Sequence, residues 1–189
     1  MGAPRLDRHI LLIGLRASGK STLGRALATA LGGVPFVDLD DHTREALGAT
    51  TVREAFLRAG EDGFRAAEAE ALARALRRGE AHVLALGGGT PTAPGAAAQI
   101  AEARREGRAL VVFLDPPLST LAERLAAHEG DRPSLTGRGV VAEIGDVAAV
   151  RRPLYAALAD LRLLEPLDEA SLVSIITSQV GSASATADA

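Results

Sequence analysis

The chain contains no cysteine, which excludes disulfides, thiolate metal sites and cysteine nucleophiles. It contains no asparagine either, and of its 21 basic residues only Lys20 is lysine; every other one is arginine. No apolar run approaches the ~18–20 residues needed to cross a membrane. Positive charge is not in excess: the formal net charge is −3 and the pI near 5.8. A general nucleic-acid binder or membrane-surface binder is therefore not expected, and any anion site must be built from locally placed arginines. The four histidines, His9, His42, His82 and His128, fall in different elements without ligand spacing, so a zinc centre is not expected.

What is present is a globular composition. The 189 residues are 47% apolar and 24% charged, enough for one domain with a substantial core. Short apolar runs alternate with amphipathic ones, the pattern of an α/β fold with a parallel sheet. Strands are expected at His9–Ile13, Pro35–Asp38, His82–Leu86, Ala109–Leu114 and, more weakly patterned, Leu161–Glu165. Helices are expected to begin at Lys20, His42, Thr51, Gly60, Ala96, Ser119, Glu143 and Asp168, with Asp41 the candidate cap of the one at His42. The stretch 130–145 has no clear period and reads as a mobile lid. From Ser178 onward serine, alanine and threonine leave little to bury, so 178–189 is expected to be a disordered tail behind a single domain spanning 1–177. The run Ile10–Ile13 leads straight into a glycine loop and reads as a strand, not a signal peptide. A cytoplasmic monomer is the expectation.

Gly14-Leu15-Arg16-Ala17-Ser18-Gly19-Lys20-Ser21-Thr22 matches the phosphate-loop pattern G-x-x-x-x-G-K-[ST]. A strand precedes it and a helix-forming run follows, as the motif requires. Its glycines let backbone N–H groups turn toward a phosphate chain, and the positive end of the following helix adds to that field. Ala17, Ser18, Gly19, Lys20, Ser21 and Thr22 are thus the candidate ATP-binding residues. Lys20 would reach the outer phosphates and Ser21 would ligate Mg2+. A chain that uses arginine everywhere else keeps its one compact, rotatable ammonium here, where a planar fork is no substitute.

Regulatory GTPases read guanine with an Asn-Lys-x-Asp motif, which a chain without asparagine or a second lysine cannot supply. A large motor or transporter ATPase needs more residues. A small-molecule kinase with a short lid remains. Beyond the phosphate loop stand Asp38-Leu39-Asp40 after the second strand, Gly60-Glu61-Asp62-Gly63-Phe64-Arg65 with Glu68, Gly87-Gly88-Gly89 after the third strand, Arg132-Pro133 in the lid, and Arg151-Arg152-Pro153-Leu154-Tyr155 late in the chain. In this order and at these separations the set, from about Ile10 to Ile176, resembles the shikimate kinase family, which belongs to the nucleoside-monophosphate-kinase-like P-loop enzymes.

That resemblance implies a three-layer P-loop kinase fold with a parallel, about five-stranded central sheet and a short lid. It also implies ATP- and Mg2+-dependent phosphorylation of the 3-hydroxyl of shikimate, giving shikimate 3-phosphate and ADP in aromatic amino acid biosynthesis. By the same resemblance Arg65 and Arg151 clamp the shikimate carboxylate, and Gly87, Gly88 and Gly89 approach the substrate. Asp40 holds ring hydroxyls and orients or deprotonates the attacking one. Asp38 sits near the metal through bound water. Arg132 swings over the phosphates, and Arg124 stacks near adenine. The residue types suit the chemistry: a carboxylate acceptor calls for planar bidentate donors, and Glu68, one helical turn beyond Arg65, can hold that guanidinium in place. A plainer reading gives the Asp-x-Asp pair to strand-end solvation or helix capping, and the glycines to a turn.

The chain departs from the family at several points. Thr90-Pro91 stands where relatives carry a small apolar pair, and Ser134 where they carry leucine. Arg138 is a second lid arginine competing with Arg132. Arg152 is a one-residue slip from Arg151. The rival expectations are a P-loop kinase for another anionic polyol, such as gluconate, and a nucleotide binder without catalysis.

Overall fold

The computed structural model describes residues 6–127, 140–164 and 169–184. The strands β1 (His9–Ile13), β2 (Phe36–Asp38), β3 (Val83–Ala85), β4 (Ala109–Leu114) and β5 (Leu161–Leu163) form one parallel sheet in the order β2-β3-β1-β4-β5. Ile10 pairs with Val83 on one side and Leu110 on the other. β1 and β4 are buried along their whole length, because helices cover both faces. A strand buried on both sides reads as a continuous apolar run rather than an alternating one.

The helices are α1 (Lys20–Ala30), α2 (Leu39–Ala46), α3 (Val52–Leu76), α4 (Ala96–Arg105), α5 (Leu118–Ala127), α6 (Val140–Leu158) and α7 (Glu169–Ser184). On one face Leu11, Ile13, Leu84, Val111 and Phe113 meet Leu72 of α3, Ile100 of α4, Leu121 of α5 and Tyr155 of α6. On the other, Ile10, Leu12, Val83, Leu110 and Val112 meet Leu23 and Leu27 of α1 and Ile176 of α7. The result is three layers, with the sheet between two sets of helices. The chain leaves β1 toward β2 and later crosses back to β4, so the two flanks of β1 are filled from opposite directions. In open parallel sheets that reversal leaves a crevice at the carboxyl ends of the strands.

Three expectations are corrected. α2 starts at Leu39, not His42, and its cap is Asp38, not Asp41: Asp38 Oδ1 accepts the Asp40 N–H at 3.1 Å. The separate helix starts expected at Thr51 and Gly60, by contrast, both hold: α3 is two helices meeting at a kink, the first capped by Thr51 and the second beginning at Gly60, whose φ of 68° and ψ of 176° are non-helical. That left-handed turn is one only glycine adopts readily. Residues 140–145, read as lid, are the first turns of α6; 130–139 lie outside the described residues. Residues 178–184, read as tail, continue α7, while 185–189 lie outside the described residues. Val173 and Ile176 of α7 pack on the core, and once a helix is anchored each further residue adds a hydrogen bond at little cost.

Candidate active site

The phosphate loop leaves β1 at Ile13 and enters α1 at Lys20. Ala17 (φ 60°) and Gly19 (φ 95°) adopt left-handed conformations that fold the loop back on itself. Ser18 is buried and Thr22 is exposed on the first turn of α1. Lys20 is buried and bends into the loop it follows. Its Nζ donates to the carbonyl oxygens of Gly14 (3.0 Å) and Leu15 (2.8 Å) and to Ser18 Oγ (3.3 Å). These are carbonyl and hydroxyl acceptors that phosphate oxygens can replace. Arg124 of α5 reaches the loop from above, its Nη1 donating to Ala17 O at 3.2 Å.

Next to the loop stand two oxygen-bearing side chains that could hold a metal. Ser21 Oγ donates to Asp38 Oδ2 at 2.6 Å, joining the first turn of α1 to the end of β2. Burial pushes the Asp38 carboxyl above its ordinary value, with the Ser21 hydrogen bond opposing and the Asp40 charge adding. Among the described residues no group of three or more His, Cys, Asp or Glu is arranged to hold a metal. A hydroxyl and a carboxylate beside a phosphate loop fit Mg2+, which keeps several waters and takes one or two protein oxygens together with phosphates.

Beside the phosphate loop the Gly87–Gly89 segment follows β3, the strand next to β1, and the site side chains close on it. A Cβ at Gly87 would lie 2.5 Å from Asp40 Oδ1, 2.5 Å from Glu68 Oε1 and 2.8 Å from Thr90 Oγ1. At Gly88 it would lie 3.1 Å from Arg16 of the phosphate loop, and at Gly89 it would collide with the Arg65 guanidinium. None of the three glycines has positive φ, so it is close approach, not turn geometry, that requires them. Gly88 O also accepts from Arg151 Nη1 (2.9 Å) and from Tyr155 Oη (2.8 Å), both on α6.

Arg65 is anchored on its own helix. Its Nη1 donates to Glu68 Oε2 at 2.5 Å, and Glu61 lies 3.8 Å from its Nη2. Burial raises the Glu68 carboxyl above its ordinary value, against the opposing charge of Arg65. Burial lowers the Arg151 guanidinium, Tyr155 offsets part of this, and the like charge of Arg65 adds to the lowering. Two guanidinium groups from α3 and α6 thus face one glycine segment, the charge of Arg65 raising the cost of the charge on Arg151. An acidic acceptor would relieve that repulsion.

The family model for shikimate kinase matches residues 16–180. The chain belongs to the shikimate kinase family. A shikimate kinase of Nitratidesulfovibrio vulgaris is 44% identical over 162 residues, covering 80% of this chain and 83% of that one. The solved structure of a shikimate kinase from Acinetobacter baumannii in complex with shikimate superposes with a TM-score of 0.81 at 30% identity, covering 93% of each chain. A gluconokinase from Sinorhizobium meliloti superposes with a TM-score of 0.53 at 19% identity, covering 94% of this chain and 93% of that one, a likeness of fold alone.

Set beside the shikimate kinase motifs, the structure gathers Ala17–Thr22, Asp38, Asp40, Arg65, Gly87–Gly89, Arg124 and Arg151 around one crevice. Arg132 and its competitor Arg138 lie outside the described residues, as does Ser134. Arg152 turns away from the crevice: its Nε meets Asp115 Oδ1 at 2.6 Å and its Nη2 donates to Pro116 O at 2.8 Å. Asp115 also accepts from Arg162, so it is the anchor of that corner. Two residues of the site and one that draws Arg152 away from it went unassigned in the sequence. Asp115 follows a buried strand with no motif around it. Tyr155 was part of a motif, but nothing in its spacing says that its hydroxyl, pushed up to about 12 by burial, holds a glycine carbonyl. Thr90 stood out only as a departure from the family pattern.

Proposed function

We infer that this enzyme is a shikimate kinase, transferring the γ-phosphoryl group of ATP to the 3-hydroxyl of shikimate and releasing ADP and shikimate 3-phosphate. The observation that carries the reading is the convergence of Arg65 and Arg151, from separate helices, on the glycine segment that touches Arg16 of the phosphate loop. In this reading the two arginines are the anion clamp, and the phosphate loop beside them is the nucleotide cradle.

In this reading Lys20 exchanges the carbonyl oxygens of Gly14 and Leu15 for the outer phosphate oxygens of ATP, and the loop N–H groups hold the rest of the chain. Ser21 and Asp38 are the residues that would hold Mg2+, directly and through bound water. When bound, the ion neutralises charge on the phosphates. Arg65 and Arg151 take the shikimate carboxylate, and Gly87–Gly89 lets the ring approach the backbone. Asp40, beside Gly87, orients the 3-hydroxyl in line with the γ-phosphorus. The hydroxyl oxygen forms the new P–O bond, the bond to the β-phosphate bridging oxygen breaks, and the hydroxyl proton passes to Asp40 or to water. Arg132, in the lid segment, is assigned to the charge in transit, and Arg124, already against the loop, to the nucleotide. The enzyme is taken as a cytoplasmic monomer acting on small molecules, with neither nucleic acid nor membrane as partner.

The test is ADP release from Mg·ATP by the purified protein, with shikimate, gluconate or no acceptor. Release that requires shikimate and is abolished by Lys20→Ala is the expected result. Release with gluconate alone would reassign the acceptor, and nucleotide binding without release under any condition would make the chain a non-catalytic binder.

A further inference from the structure

Glu68 is a carboxylate with no exposed surface, and its two oxygens are used differently. Oε2 accepts from Arg65 Nη1, while Oε1 accepts from Thr90 Oγ1 at 2.8 Å. Thr90 is itself fully buried. It opens the 3-10 turn Thr90–Thr92, its N–H donating to Gly87 O at 3.1 Å and Pro91 stiffening the next position. The hydroxyl is therefore fixed in space by the same glycine segment that the acceptor site is built on. Asp40 Oδ1, Glu68 Oε1 and Thr90 Oγ1 all crowd the point where a Gly87 Cβ would stand, so two carboxylates and the Thr90 hydroxyl meet there.

We propose that Thr90 is a positioning residue for the acceptor step: its hydroxyl commits Glu68 to holding Arg65, and so aims the Arg65 guanidinium at the acceptor's carboxylate. The proposal rests on the functional reading above and assigns a purpose to the position where the chain departs from its family's pattern. An acceptor carboxylate binds well only to a guanidinium held in one orientation, and a buried anchor holds orientation only while both of its oxygens are satisfied. Without the Thr90 donor, Glu68 would be left with one partner in a dry site.

Charge strengthens the case. Burial already pushes the Glu68 carboxyl up. Arg65 on the same helix and the Thr90 hydrogen bond pull it down, and Asp40 of α2 pushes it further up. Arg151 and Tyr155 face it from α6, and Glu61 flanks Arg65 on α3. Removing a hydrogen bond to the ionised form raises a carboxyl further. A protonated Glu68 is a weaker anchor for Arg65, so the acid limb of acceptor use should report on Thr90.

The experiment compares wild type, Thr90→Val and Thr90→Ser. For Thr90→Val the KM for shikimate should rise roughly tenfold or more, the loss expected for one hydrogen bond to a charged group, while the KM for ATP stays within twofold. The acid limb of kcat/KM for shikimate should move upward in pH, and Thr90→Ser should restore both. Thr90→Ala serves if the valine variant does not fold. A carbon-13 titration of the Glu68 carboxyl in wild type and variant reads the same hold without turnover. An unchanged Glu68 titration, or equal rises in the two KM values with an unmoved acid limb, would overturn the proposal. Wild-type turnover with shikimate tests the functional reading, whereas the difference between wild type and variant tests Thr90, so the two failures are separable.

Discussion

Replacing Gly87 by alanine adds one methyl group at the point where the acceptor side is tightest. The backbone there lies outside the left-handed region, so alanine meets no conformational penalty and only the contacts matter. The new Cβ would stand 2.5 Å from both Asp40 Oδ1 and Glu68 Oε1, and ordinary contact begins near 3.4 Å. Both carboxylates must then withdraw by about 0.9 Å, or the β3–turn segment must move by as much. Misplacing a positioning group by about 1 Å costs on the order of 100-fold in rate, about 2.7 kcal/mol of the barrier. Overpacking should also lower stability by about 1–3 kcal/mol. The phosphate loop contacts neither carboxylate through Gly87, so nucleotide binding should survive. The assay is coupled ADP release with shikimate varied at saturating ATP, alongside calorimetric titration with ADP and a urea melt. A kcat within about threefold of wild type in a folded Gly87→Ala protein would refute the reasoning, because the crowded carboxylates would then not be those that position the acceptor.

Arg151→Ala should weaken shikimate binding by about 2–5 kcal/mol while leaving the urea midpoint nearly unchanged, whereas Arg152→Ala should do the reverse by removing a partner of buried Asp115; kinetics and melts on both variants check the split, which inverts if the register is slipped by one. Asp40→Asn should cut kcat by at least 100-fold with ADP affinity retained, and normal turnover would place the acceptor elsewhere. At the opposite end of the sheet His9 and His82 stack with ring centroids 4.3 Å apart, and burial, then the charge of His82, lowers His9 from 6.5 to about 4. Because the unfolded chain binds this proton first, stability should fall as pH drops from about 6.5 to about 4, by at most roughly 3 kcal/mol from His9; His9→Leu should flatten that slope in urea melts, and an unaltered slope would show the ring is not kept neutral by the fold.

Much of the fold and of the nucleotide side was legible in the sequence because both rest on local signals. β1 and β4 appear as uninterrupted apolar runs since the sheet is covered on both faces, and the phosphate loop is contiguous with the helix it caps. Errors came where tertiary contacts decide a boundary. Asp38 takes the cap of α2 because the Ser21 hydroxyl fixes its side chain from a different helix, a partner 17 residues distant. α7 runs past Ser178 because Val173 and Ile176 dock it on the core, although composition past Ser178 has little to bury. On the acceptor side, motif order put Arg65, Gly87–Gly89 and Arg151 together. No local pattern could show that Thr90 completes Glu68 from 22 residues away, or that Arg152 belongs to Asp115.

A crystal structure with shikimate, Mg2+ and a non-hydrolysable ATP analogue bound tests the central claim most directly. Lys20 Nζ should have left the carbonyl oxygens of Gly14 and Leu15 for the outer phosphates, with the shikimate carboxylate lying between Arg65 and Arg151. Lys20 still seated on those carbonyls beside bound nucleotide, or the carboxylate held elsewhere, would contradict it.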